Sequence, residues 1–173
     1  SMLTDFVTGN DVPNIGAEEN RQAIERLLVE RKGYWKEDIQ IDVEIEMTVA
    51  GESYRSQLDL VVSTDGGRTR FMAIRCAAGS LGSREREIVA AARLLDDCLI
   101  PLAVVSDGKT AIVLDSASGK KTGDGLEAIP PKQEATKKLE SLEIQPFPLP
   151  RREKEKRIFR TYDRDNVNVQ RNI

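Results

Sequence analysis

The sequence predicts an α/β domain, a mixed β-sheet of about five strands flanked by helices with a C-terminal helical extension. Three observations predict it. Ile41, Val43, Ile45, Met47 and Val49 alternate with polar residues, the period of a half-buried strand, and two further strand-like runs follow across glycine-containing turns. The unbroken apolar run Leu102-Ala103-Val104-Val105 reads as a buried central strand. A stretch with helical spacing (Ile88, Val89, Ala92, Leu95) precedes that run, so a helix crosses between two strands that pair in parallel.

Taken in order, residues 1–16 contain Thr8-Gly9-Asn10-Asp11-Val12-Pro13-Asn14 and read as an irregular lead-in, with Ser1 before Met2 read as the remnant of a cleaved tag. Residues 17–32 place Ala23, Ile24, Leu27 and Leu28 on one helical face, with acids in the first turn and Gly33 as the stop. The strand at 41–49 is followed by one over 54–63, a tight hairpin turn at Asp65-Gly66-Gly67, and a third strand over 71–76. These three form an antiparallel meander. The small-residue loop 77–82 leads into the crossover helix, with Ser83 as its N-cap. After the strand at 102–105, Asp107-Gly108-Lys109 turns the chain into a last strand over 111–114. The domain proper is thus expected over 17–125. A short helical extension (Ala135, Leu139, Leu142) occupies 126–145, and a proline-containing linker with a basic tail fills 146–173.

Composition narrows the chemistry. The chain has 173 residues, 39% hydrophobic and 32% charged, which is globular rather than disordered. It has no histidine, which excludes Ser-His-Asp and Cys-His centres, histidine-ligated zinc and any histidine base. The two cysteines, Cys76 and Cys98, stand in apolar surroundings and read as buried free thiols of a cytoplasmic protein. Neither a signal peptide nor a membrane-spanning run is visible. The net charge of −3 is unevenly spread: from Arg151 on, eight basic residues face four acidic ones, so residues 1–150 carry −7. That acidic body is unlike a non-specific DNA binder, and the tail reads either as a solvated mixed-charge helix or as a local phosphate contact.

The element order, with an acid on the second strand, resembles the restriction-endonuclease-like PD-(D/E)xK nuclease core. It resembles more closely the N-terminal domain of type I restriction enzyme R subunits, the HsdR-like nuclease domain. The resemblance covers roughly residues 18–120. It rests on Glu18-Glu19-Asn20-Arg21-Gln22, on Leu28 to Gly33-Tyr34, on Ser56-Gln57-Leu58-Asp59-Leu60-Val61-Val62, and on Ile100 to Lys109. It implies a site in which an aspartate and a second carboxylate, two residues before a lysine, hold Mg²⁺ for phosphodiester hydrolysis. Asp59 takes the aspartate position. The third strand, however, reads Ile74-Arg75-Cys76-Ala77, with arginine for the carboxylate and alanine for the lysine. The family's Gln-x-x-x-Tyr pair falls on Glu87 and Ala91, a further departure.

The vestigial catalytic positions are therefore Glu18, Asp59, Arg75 and Ala77. Two roles stay open for Asp59: a cross-strand partner of Arg75, or a metal ligand if activity survives, with Glu44 or Glu87 as migrated partners. Glu18 is either a catalytic-helix carboxylate or a dipole complement. Arg75, Ser83, Arg84 and Arg86, beside a small-residue loop, form a candidate anion or nucleic-acid site, against an ordinary connection with solvated arginines. Tyr34 and Trp35 are assigned to packing. Three functions follow. The leading one is a nuclease-fold domain that no longer cleaves and associates with nucleic acid, with no cofactor, no ATP use and no membrane contact. The others are an active Mg²⁺-dependent endonuclease with migrated ligands, and a protein-interaction module docking a partner through the C-terminal tail.

Overall fold

A computed structural model describes residues 1–171, with side chains described as far as Asn166; the last two residues of the expected tail lie outside the described residues. The element order is β1 (Met2–Thr4), β2 (Asp11–Pro13), α1 (Glu18–Arg26), β3 (Ile39–Val49), β4 (Glu52–Ser63), β5 (Arg70–Cys76), α2 (Glu85–Leu94), β6 (Leu102–Ser106), β7 (Ala111–Asp115), β8 (Lys121–Asp124), α3 (Lys132–Ser141) and α4 (Leu149–Arg171). Strands β3 to β8 form one mixed sheet in sequence order. Every pairing in it is antiparallel except β5 with β6, which α2 connects by the expected crossover.

The sheet carries an apolar layer on each face. One layer joins Leu58, Val61, Ala73, Val105 and Ile88 of α2 to Phe159 of α4. The other joins Leu60, Val62, Phe71, Ile74 and Val104 to Ile24 of α1 and Ala135 of α3. Burial on both faces explains why β5 and β6 read as continuous apolar runs while β3, at an edge, alternates. Past Arg26 the helix widens into a π-turn over Leu27–Arg31 before Gly33, at φ +81°, ends it. Gly108, at φ +86°, lets the β6–β7 turn touch α1: a Cβ there would come within 3.0 Å of Ala23 Cβ.

The structure corrects several expectations. The sheet has six strands, because Lys121–Asp124 adds an edge strand with no apolar residue to announce it. Lysine on an exposed edge discourages pairing with another chain. The turn after β4 is not a tight turn at Asp65-Gly66-Gly67 but a six-residue loop, with Asp65 Oδ1 accepting the Arg68 and Thr69 N–H groups (3.0 and 2.8 Å). Ser83 is not an N-cap: it lies in a 3₁₀ turn over Gly82–Arg84, and its hydroxyl donates to the Ser80 carbonyl (3.0 Å). Cys76 is buried as expected, whereas Cys98 is exposed. Among the described residues no helix is long and apolar enough to cross a membrane.

The proline-containing segment is packed against the domain, and the basic tail is a helix with one face buried and most of its other described residues exposed. Phe147 is buried between the guanidinium groups of Arg93 and Arg151, 4.9 and 4.7 Å from its ring centroid. Helix α4 then lies along α2, burying Glu155, Phe159 and Asp163. Glu155 is held ionised despite burial by hydrogen bonds from Arg86 (2.5 and 2.9 Å) and from Arg93.

The irregular lead-in is a two-stranded hairpin in which Leu3 pairs Val12. It is fastened to α1 by polar groups: Gln22 accepts the Phe6 N–H (2.7 Å) and donates to Asp5 (2.9 Å), and Glu25 accepts the Val7 N–H (3.0 Å). Burial, reinforced by a shared proton with Asp5, pushes the Glu25 carboxyl up to about 8. Asp5 is drawn down to about 2, its own burial outweighed by hydrogen bonds from Glu25, Gln22 and Thr8. Because the folded Glu25 holds its proton more tightly than the free side chain at 4.5, its contribution is complete below that value and is lost as pH rises through about 8. Asp5 has the opposite sign, contributing above 3.8 and losing its effect as pH falls toward 2. Hydrogen-exchange protection of the hairpin amides, corrected for intrinsic rate, is therefore expected to fall from about pH 4.5 to about pH 8 and to level off above that, on the order of the shift of one group. Glu25→Gln should flatten that dependence, and a profile unchanged by Glu25→Gln would contradict it.

Candidate functional site: an arginine among carboxylates

Strand β4 supplies Asp59 and β5 supplies Arg75. Leu60 pairs Ile74, so Asp59 and Arg75 are the next residues along the ladder. Asp59 Oδ2 accepts the Cys76 backbone N–H (2.7 Å) and lies 3.4 Å from Arg75 Nη1, which also donates to the Gln57 carbonyl (3.2 Å). The cross-strand pair is therefore present, although its shortest bond is to the backbone. The Arg75 guanidinium is buried beneath α2 and α4. Its Nη2 lies 2.5 Å from Oε1 of fully buried Glu87, without hydrogen-bond alignment, and 3.9 Å from Asp163. Burial alone would lower the Arg75 pKa, but Asp59, Glu87 and Asp163 together raise it, so the group stays charged.

Helix α4 completes the cluster. Asp163 accepts the hydroxyls of Tyr54 and Ser56, the latter at 2.8 Å, and Asn166 donates to Glu87 Oε2. Arg84, mostly buried, stands 3.8 Å from Glu87. Its pKa is lowered by burial and by neighbouring Arg75, against the pull of Glu87. Sequence reasoning placed Asp59, Arg75 and Glu87 here but missed Asp163 and Asn166. These lie some eighty to a hundred residues away, in a segment that only the fold brings back.

Asp42 was also missed. The register of β3 on β4, Ile41 with Leu60 and Val43 with Leu58, sets Asp42 opposite Asp59. Asp42 sits at φ +48°, a left-handed conformation that a non-glycine residue holds only where its surroundings impose it. Its carboxylate accepts from Arg21 Nη1 (2.8 Å). Burial raises its pKa, with Arg21 opposing and Asp59 adding. Within the alternation of β3, nothing marked Asp42 out from Glu44 or Glu46.

The remaining candidates are spread out. Glu18 accepts from Arg21 (2.7 and 3.1 Å) and Gln22 (2.9 Å), and shares a small cleft of ≈ 170 Å³ with Arg21, Asp59 and Cys76. Ala77 is buried, its N–H donating to Ser106 and its carbonyl accepting from Asn20. Glu44 points to the surface, 3.7 Å from Arg55. Arg86 lies on Glu155 and Ser83 bonds its own loop, whereas Arg75 and Arg84 both border a cleft of ≈ 240 Å³ that Asp42, Asp59 and Asp163 also line.

The donor set does not fit Mg²⁺. That ion needs several oxygens in near-octahedral array at roughly 2.0–2.1 Å. Here Asp59 is turned to a backbone N–H and a guanidinium, and Asp42 and Glu18 are both spent on Arg21. Among the described residues no group of three or more Asp, Glu, Cys or His side chains is placed to hold a metal.

A six-stranded mixed sheet with one parallel crossover, flanked by helices and carrying charged residues on its two adjacent central strands, defines the class as a mixed α/β domain. The family described as type I restriction enzyme R protein N terminus (HSDR_N) matches residues 16–130, and the chain belongs to that family. The match ends before α3 and α4. No curated protein and no solved structure matches the chain.

Proposed function

We propose that this R-protein N-terminal domain does not cleave DNA and acts by associating with nucleic acid. One observation carries the loss of cleavage: the residue aligned with the second metal-binding carboxylate is Arg75, whose guanidinium fills the space between Asp59 and Glu87. A fixed cation there repels a divalent ion, and the alanine at position 77 offers no amine to orient a water. The exchange is reciprocal, since Glu87 on the facing helix supplies the charge that burial of Arg75 requires. Nucleic-acid association is supported by the family's restriction-system setting. A protein partner docking at the tail has less support, because the apolar face of α4 is already used on α2.

Calorimetric titration with Mg²⁺ and Mn²⁺, together with nicking assays on plasmid and single-stranded DNA, tests this for wild type and Asp59→Asn. The expected result is no saturable heat and no nicking, with DNA affinity that falls steeply with salt. Metal binding with nicking that Asp59→Asn abolishes would overturn it and establish a working endonuclease with ligands drawn from elsewhere.

A further inference from the structure

Several cations that make no ion pair among the described residues lie away from the Arg75 cluster, near the single tryptophan. Trp35, assigned by sequence to packing, is 64% exposed. It borders an open cleft of ≈ 700 Å³ whose walls include Arg31, Lys32, Lys132, Gln133 and Lys137, with Glu140 as the one acid. A second depression, lined in part by Arg31, Lys32 and Lys109, shares two of those cations and extends the track. Among the described residues, Arg31, Lys32, Lys109 and Lys137 make no ion pair, whereas Arg21, Arg75, Arg86 and Arg93 are all consumed internally.

The indole is held in place. Its backbone N–H donates to Asp38 Oδ2 (2.8 Å), and buried Asp38 also accepts from Gly66 N–H (2.9 Å) and from Lys132 Nζ (2.7 Å). Lys132 Nζ lies 3.6 Å above the ring centroid, covering one face and leaving the ring otherwise open. The wall opposite is tied down by the Lys132 N–H bond to the Lys32 carbonyl (2.8 Å) and by Tyr34 donating to the Pro130 carbonyl (2.8 Å). The first turn of α3, which no side chain caps, borders the same cleft through Pro131, Lys132 and Gln133.

We propose that this cleft binds single-stranded nucleic acid, with a base stacked on Trp35 and phosphates on Arg31, Lys32, Lys137 and Lys109. A rigid aromatic ring beside a row of unpaired cations suits a strand whose bases are unstacked and whose backbone is charged. A duplex presents its phosphates but not its base faces. The proposal rests on the reading of the domain as one that associates with nucleic acid, and gives that reading a surface distinct from the Arg75 cluster.

The test uses the whole chain, with Trp35 fluorescence as the readout and a short oligothymidylate as the probe. The duplex of the same length and poly-glutamate serve as competitors. Quenching is expected, with tighter binding of the single strand than of the duplex and affinity that drops between about 50 and 200 mM salt. Followed by anisotropy of a labelled oligonucleotide, Trp35→Ala is expected to weaken binding roughly 5- to 150-fold, the range base stacking supplies. Arg31→Glu with Lys137→Glu should weaken it at least as much and flatten the salt dependence. All three positions are at the surface, and circular dichroism verifies the fold. Binding that neither variant disturbs would overturn the cleft while leaving nucleic-acid association standing. Absence of binding to either form of DNA would overturn both, and poly-glutamate competing as well as the oligonucleotide would overturn the assignment to nucleic acid.

Discussion

Glu87→Ala is expected to lower the unfolding free energy by about 3–5 kcal/mol, the cost of leaving a buried charge without its partner. Arg75 has nowhere to go. Its guanidinium is enclosed by β4, α2 and α4, and two of its nitrogens make no aligned hydrogen bond even in the intact protein. Without Glu87, Arg84 would also lose its nearest carboxylate, and Asn166 its acceptor. Replacing both charges, as in Arg75→Met with Glu87→Leu, should recover most of the loss, because well-packed apolar groups commonly match a buried pair. Urea denaturation of Arg75→Met, Glu87→Leu and the double variant closes the cycle. A Glu87→Ala cost within about 0.5 kcal/mol, the usual range for surface substitutions, would show that the pair is not enclosed.

Phe159→Ala is the second large effect, also about 3–5 kcal/mol. Phe159 is fully buried on α4 and meets the Tyr54 ring edge to face, 6.4 Å between centroids. A solvated tail would lose almost nothing on the same change, so the measurement separates a core helix from an appendage. Glu155→Ala should be costly for a different reason, since it strands Arg86 and Arg93 together on the facing helix. Loss of α4 helicity in Phe159→Ala, with the sheet intact by hydrogen exchange, would place the damage locally.

How far the fold could be read depended on whether burial was written in apolar residues. Strand β3 announced itself because only one side is covered, and β6 because both are. Strand β8, Lys-Thr-Gly-Asp, has no apolar residue and is placed by its ladder to β7 and by the close fit of Gly123 against Ala128, so no apolar pattern exists to find. Helix α4 misled in the opposite sense. Glu155 and Asp163 look like solvent-facing charges, yet they are interior because Arg86, Arg93, Tyr54 and Ser56 wait for them on other elements. The departures at Arg75 and Ala77 were legible from the resemblance. The contacts of this cluster with Asp163 and Asn166 were not, since they join residues more than seventy positions apart. The Trp35 cleft escaped because an aromatic beside a helix end usually packs inward, and only the Asp38–Lys132 bond shows this one held outside.

The place of α4 has a consequence for the order in which the chain is made. Strands β3 to β7 and helix α2 are synthesised before residues 149–171, and at roughly 5–20 residues per second that interval lasts seconds. During it, Ile88, Val105 and Tyr54 lack the Phe159 layer, and Arg75 lies beside Glu87 without Asp163. The nascent domain thus passes through a stage with one apolar flank bare, when premature contact with other unfolded chains has its best opportunity. Packing of α4 on α2 ends that exposure.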